Sequence, residues 1–112
     1  MNGGANRRRG HDFERAMAKR WREAGWAKTT TSRYSSKEKD DQCIDLCGTE
    51  PFQCQMKAVA RPLNYHAEIA KMAGGDRFFN LIFHKRRGKV SVVMDVDDFF
   101  ELAKLVKDHG VV

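Results

Sequence analysis

The chain has 112 residues, of which 41% are apolar and 32% are charged, and its net charge at neutral pH is +6. This length allows one domain with one sheet and one layer of helices, and excludes a second large core. No apolar run approaches the roughly 20 residues of a membrane span, and the basic residues in 1–9 precede no signal-peptide-like apolar segment. We therefore expect an intracellular, cytoplasmic protein, and the positive charge favours a polyanionic partner.

A basic arm, a helix and a short strand are the first predicted elements. Residues 1–10 are rich in Gly, Asn and Arg and predict a flexible basic arm, which leaves 11–112 as a single domain. Apolar residues recur at helical spacing in 11–24, so a helix is predicted there. Three consecutive threonines favour a strand over 26–33, and the polar segment 34–41 predicts a loop.

A β-hairpin is predicted next, with strands over 42–47 and 52–59. Side chains alternate between the two faces of a strand. Keeping the apolar residues together fixes the register, because a slip of one residue would bury the polar set. This register places Asp45 opposite Gln55, with Lys57 one pleat further on. Oxygen ligands suit Mg²⁺, and a neighbouring lysine can orient water or stabilise charge on a phosphate; an ordinary exposed polar face is the alternative.

The remaining predicted elements are a helix over 63–73, a second hairpin with strands over 77–84 and 89–94, and a last helix capped by Asp95. The order is therefore α-β-β-β-α-β-β-α, an α/β fold with a mixed sheet. In the last helix the apolar residues fall on one face and predict a buried stripe, namely Val96, Phe99, Phe100, Ala103 and Val106.

The pattern Asp45-x9-Gln55-x-Lys57, in a hairpin after an N-terminal helix, resembles the PD-(D/E)XK nuclease superfamily. Within it, the chain is most similar to the Holliday-junction resolvases of archaea and phages. Those proteins begin with a basic arm and a Gly-x-x-x-Glu-Arg helix, which residues 10–15 match here. The resemblance covers residues 7–94. It implies a restriction-endonuclease-like αβββαβ core, in which helices flank a mixed sheet, with an additional C-terminal strand and helix.

The resemblance also implies roles for individual residues. Asp45 would be the central metal ligand and Lys57 the catalytic lysine, with Glu14 and Gln55 as further catalytic residues and metal ligands. The cofactor would be Mg²⁺, for which Mn²⁺ would substitute. The family carries an acidic residue two positions before the lysine, and Gln55 offers an oxygen there without a negative charge, so Mg²⁺ should bind more weakly. Nearby acids could compensate, namely Asp40, Asp41 or Glu50.

The implied activity is a structure-directed endonuclease that cuts branched DNA as a homodimer, so that two strands are cleaved. A catalytically inactive DNA-binding or adaptor module on the same fold is the alternative, and an RNA-binding domain that uses its sheet face is a third. DNA would be contacted by basic and hydroxyl side chains, namely Arg7, Arg8, Arg9, Arg15, Ser32, Arg33, Ser35, Lys85, Arg86 and Arg87, with Ser36 as a further possibility.

Overall fold

A computed structural model of the protein describes four stretches of the chain, namely residues 3–35, 37–38, 43–72 and 78–110. The fold is mixed α/β, as predicted. No helix within these stretches combines the length and the apolar character needed to cross a membrane. The elements, in chain order, are α1 (Gly3–Glu23), β1 (Thr30–Thr31), α2 (Ser32–Ser35), β2 (Leu46–Cys47), β3 (Phe52–Lys57), α3 (Tyr65–Lys71), β4 (Phe79–Arg86), β5 (Lys89–Val93) and α4 (Val96–Asp108).

Helix α1 begins at Gly3, well before the predicted start. The prediction of a flexible arm over 1–10 is therefore wrong for residues 3–10, which form the first turns of the helix. Arginine is a good helix former, and the cost of about 1 kcal/mol for a glycine in a helix interior does not stop the helix at Gly10. The three consecutive arginines stay exposed on this extension, namely Arg7, Arg8 and Arg9.

The sheet is mixed, because β3 and β4 are parallel while β4 and β5 are antiparallel. The second predicted hairpin, formed by β4 and β5, is confirmed. In the first predicted hairpin, β2 forms its ladder with β1 and not with β3. Asp45 nevertheless lies beside β3, because its N–H donates to the carbonyl of Cys54 over 2.7 Å and Oδ2 accepts from the N–H of Met56 over 2.7 Å. It is therefore level with Gln55, as the register predicted.

The two faces of β3 are covered by different helices. On one face, Cys54 and Met56 belong to the apolar core together with residues of α1. On the other face, Gln55 and Lys57 meet Glu68 of α3. The alternation predicted for this strand is therefore confirmed, and both polar side chains share a face. The buried core cluster consists of Phe13, Met17, Ala18, Leu46, Cys54, Met56 and Leu81.

Helix α4 is correctly predicted, but its apolar face is not buried. Asp95 is the N-cap, and its side chain accepts a hydrogen bond from the N–H of Asp97 over 3.0 Å. Val96, Phe99 and Phe100 are 62%, 51% and 65% exposed. Ala103 is exposed and Val106 half-buried, so the prediction of a buried stripe is wrong. Helical spacing predicts that apolar residues share a face, but it does not determine which surface covers that face.

Candidate functional site

Asp45 is held in place through its backbone as well as its side chain. The N–H of Ser32, at the start of α2, donates to the Asp45 carbonyl over 2.9 Å, and Ser32 Oγ donates to the carbonyl of Ile44 over 2.6 Å. Both Ser32 and Ile44 are fully buried. On the other side, β3 binds the N–H and the carboxylate of Asp45. The carboxylate is thus fixed between α2 and β3. Ser32 acts here as a support for the backbone, a role that the prediction of a DNA contact did not include.

Gln55 and Lys57 project from β3 toward α3. The Gln55 side chain is buried, and its Nε2 donates to Glu68 Oε2 over 3.5 Å. Its Oε1 is also buried, and within the described part of the chain it has no hydrogen-bond partner. Lys57 Nζ lies 3.5 Å from the same oxygen, Glu68 Oε2. The predicted amide and ammonium therefore do converge, and a carboxylate joins them from the neighbouring helix.

Glu68 is a member of this cluster that the sequence prediction missed. It lies on α3, whose N-cap Asn64 accepts through Oδ1 from the N–H of Ala67 over 3.1 Å. Burial raises the pKa of Glu68, but the ammonium groups of Lys57 and Lys71 outweigh it, so the pKa lies below its ordinary value. A signal did exist in the sequence, since Tyr65, Glu68 and Met72 share one face of a predicted helix.

Glu14 is turned toward α2. Its Oε1 lies 3.2 Å from Nη1 of Arg33, and the two side chains are only 13% and 22% exposed. Arg33 directly follows Ser32, so this ion pair stands one residue from the backbone support of Asp45. Among the residues that the structure describes, no three His, Cys, Asp or Glu side chains gather in a potential metal site. The predicted acidic set is therefore not assembled as one cluster here, and Glu14 serves as the partner of Arg33.

A groove of about 560 Å³ brings together two basic segments that are distant in the sequence. Arg9 of α1 lies on one side, and Lys85 and Arg87 of the β4–β5 hairpin lie on the other. Residues 58–60, which directly follow Lys57, line the groove as well. The groove therefore runs up to the end of β3 that carries the lysine.

The other predicted contact residues have different surroundings. Arg86 Nε donates to the carbonyl of Ala60 over 2.6 Å, which ties β4 to the segment after β3. Arg15 is exposed and forms an ion pair with Asp12. Glu50 precedes β3 at the end opposite to Lys57, and its carbonyl accepts from the indole of Trp26 over 3.0 Å. Several predicted positions fall outside what the structure describes, namely the side chain of Ser35 and residues Ser36, Asp40 and Asp41.

The positive charge on α1 also acts on a neighbouring histidine. Partial burial lowers the pKa of His11, and the guanidinium groups of Arg33, Arg15 and Arg7 lower it further. The field around the first half of α1 is therefore positive, which favours a polyanion at this surface.

The aromatic residues considered for RNA binding pack inward. Phe79 is buried and stacks at 5.7 Å on Phe52, and Phe83 lies 6.2 Å from Trp21. Phe78 is 36% exposed. A sheet that binds unpaired bases needs exposed rings on its central strands. Because Phe79 and Phe83 are used in packing, the sheet face does not support that alternative.

These features define a mixed α/β domain with a carboxylate, an amide and an ammonium around one parallel strand, beside a basic groove. Comparison with known families finds none that matches the chain, and neither curated proteins nor solved structures match it. The functional interpretation therefore depends on the geometry of the site and on the resemblance of the motif.

Proposed function

We propose that the protein is a metal-dependent endodeoxyribonuclease of the PD-(D/E)XK type that acts on branched DNA. The observation that carries the proposal is the position of Asp45 level with Gln55, with Lys57 on the same strand face as Gln55 and at the end of a basic groove. The order α1, β1, β2, β3, α3, β4, with β3 parallel to β4, is compatible with the proposed αβββαβ core.

The oxygen atoms at the site suit Mg²⁺ in kind. Asp45 offers a carboxylate, and Gln55 offers a buried amide oxygen that has no partner among the described residues. These two residues would hold the ion, whereas Glu14 would first have to separate from Arg33. A bound Mg²⁺ would polarise the scissile phosphate and lower the pKa of a coordinated water. Mn²⁺ has similar ligand preferences and should substitute.

Lys57 is the residue that we expect to act on the reacting phosphate. An ammonium has three N–H donors, so Lys57 can contact Glu68 and still donate to a phosphate oxygen or to the attacking water. Its side chain is 28% exposed, which leaves it accessible from the groove. A fixed positive charge at the developing negative charge of the transition state accelerates such a reaction.

The groove cations are suited to positioning DNA without reading its sequence. Arg9, Lys85 and Arg87 approach from two sides, and contacts to phosphates fix orientation but carry no base information. Recognition by shape fits a structure-directed enzyme. We propose a homodimer, and the exposed apolar side chains of α4, such as Phe99 and Phe100, support it because surfaces of this kind mark interfaces.

The proposal is tested by incubating the protein with labelled four-way junction, nicked duplex, linear duplex and single-stranded DNA, in Mg²⁺, Mn²⁺ or EDTA. We expect metal-dependent cutting with preference for the junction. Equal cutting of all four forms would retain the nuclease and exclude the junction preference. Cutting that persists in EDTA would contradict a metal-dependent site.

A catalytically inactive DNA-binding module is the second candidate function. It is favoured by one observation, which is that Gln55 stands where the family carries an acid. This candidate predicts salt-sensitive binding to DNA without cleavage in either metal.

Removing groove cations is expected to weaken DNA binding and its salt dependence. In the double variant Lys85→Ala/Arg87→Ala, the slope of log K against log salt should fall by about 0.9 for each lost phosphate contact. Titrations of one labelled duplex at several salt concentrations measure this slope. Lys104→Ala is the control, since Lys104 is exposed on α4 and does not line the groove. An equal effect of both changes would mean that the groove does not bind the backbone.

A further inference from the structure

Glu68 contacts both polar side chains of β3 through a single oxygen atom. Its Oε2 lies 3.5 Å from Gln55 Nε2 and 3.5 Å from Lys57 Nζ, while Oε1 lies 3.3 Å from Lys71 Nζ. The Glu68 side chain is 12% exposed, so water screens these contacts little. A carboxylate in this position sets the orientation of whatever polar groups the strand presents.

The contact with Glu68 determines which way the Gln55 amide points. Because Nε2 donates to the carboxylate, Oε1 is directed away from Glu68. The opposite orientation would place the amide oxygen against a carboxylate oxygen, which is repulsive. The outward oxygen is buried and has no donor in the described part of the chain, and Asp45 is level with the same residue of β3. The Gln55 oxygen is thus kept available for a cation on the side away from Glu68.

The pair formed by residues 55 and 68 carries one negative charge, and it stands on the helix. A glutamate at position 55 would place a second carboxylate about where Nε2 now lies, 3.5 Å from Glu68 Oε2. Like charges this close in a buried place destabilise each other. Gln55 is therefore the residue that matches Glu68, and its lack of charge need not mean a defective site.

We propose that Glu68 is a positioning residue of this site, whose carboxylate orients the Gln55 amide oxygen toward a bound divalent cation and holds the Lys57 ammonium beside it. The proposal depends on the proposed nuclease function for its catalytic consequence. Its structural consequence, the orientation of Gln55 and its effect on cation binding, can be measured without any DNA.

The test exchanges the two side chains in the full chain. Glu68→Gln, Gln55→Glu and the double variant Gln55→Glu/Glu68→Gln are compared with the wild type. Mn²⁺ binding is followed by electron paramagnetic resonance, the side-chain amide of Gln55 by NMR in the wild type and Glu68→Gln, and cleavage by kcat and KM. We expect Glu68→Gln to shift the Gln55 amide resonances, to weaken Mn²⁺ binding by about 10–100-fold, and to lower kcat rather than raise KM.

The single and double variants separate this proposal from the simpler idea of a missing acid. Gln55→Glu alone should lower Mn²⁺ affinity, because it opposes Glu68, and the double variant should restore it by returning one carboxylate and one amide. An increase in affinity and cutting in Gln55→Glu alone, or unchanged Gln55 resonances in Glu68→Gln, would overturn the proposal. If the exchange behaves as expected in Mn²⁺ binding but no protein cuts DNA, the positioning role is supported and the nuclease function fails. Thermal unfolding of each variant identifies any loss of folding.

Discussion

Cleavage by Lys57→Met is expected to fall by about 10²–10³-fold relative to the wild type. Methionine keeps an unbranched side chain in the strand but removes the ammonium that we place beside the phosphate. Only the contact with Glu68 Oε2 is lost from the folded protein, and Lys71 still faces Oε1 of the same carboxylate. Initial rates on the preferred DNA substrate, at saturating Mg²⁺, measure the effect.

Lys71→Met is the matched control for this change. Lys71 also pairs with Glu68, but its side chain is 58% exposed and lies on α3 rather than on β3. Exposed ion pairs contribute little, so this variant should cut within about two-fold of the wild type. DNA binding should survive in both variants, because the groove cations are unchanged. Equal losses of activity in the two variants would mean that Lys57 has no special role.

Gly48→Ala is expected to destabilise the fold strongly. Gly48 has φ +82°, and a Cβ there would lie 2.8 Å from the carbonyl oxygen of Lys28 and 3.2 Å from Cα of Thr29. The left-handed conformation alone costs an alanine about 1–2 kcal/mol, and a clash with backbone in a packed region adds a further 1–3 kcal/mol or so. We therefore expect a loss of about 3 kcal/mol or more in the free energy of unfolding, measured by urea denaturation.

Gly88→Ala separates the two causes of that loss. Gly88 in the β4–β5 turn has a nearly identical φ of +80°, but nothing lies within 4 Å of its potential Cβ. This variant should lose only about 1–2 kcal/mol, the cost of the conformation. If both alanine variants lost the same free energy, the close approach of Gly48 to the segment before β1 would be refuted.

The local pattern of the sequence was sufficient for part of the fold and of the candidate site. Alternation along β3 correctly separated Cys54 from Gln55, because a strand with one apolar face has one register. The register in turn placed Asp45 level with Gln55. The cap at Asp95 and the β4–β5 hairpin were also predicted correctly, since both depend on residues close together in the chain.

The features that were missed depend on contacts between distant segments. Glu68 reaches Gln55 only because β3 and β4 are parallel and α3 crosses between them, which no local pattern indicates. The ion pair of Glu14 with Arg33 depends on how α1 meets α2. The extension of α1 to Gly3 shows a different limit, because a Gly- and Arg-rich composition suggested a flexible arm where helix propensity was adequate.

The parallel pairing of β3 with β4 also determines when the charged cluster forms during folding. Parallel strands require a crossover connection, and contacts of this range form more slowly than local hairpins. Here the crossover contains α3, so the helix that brings Glu68 to Lys57 is the same one that links the paired strands. A partly folded chain that has formed only its local hairpins has no Glu68 beside Lys57. The complete cluster is therefore a property of the native state, acquired together with the sheet.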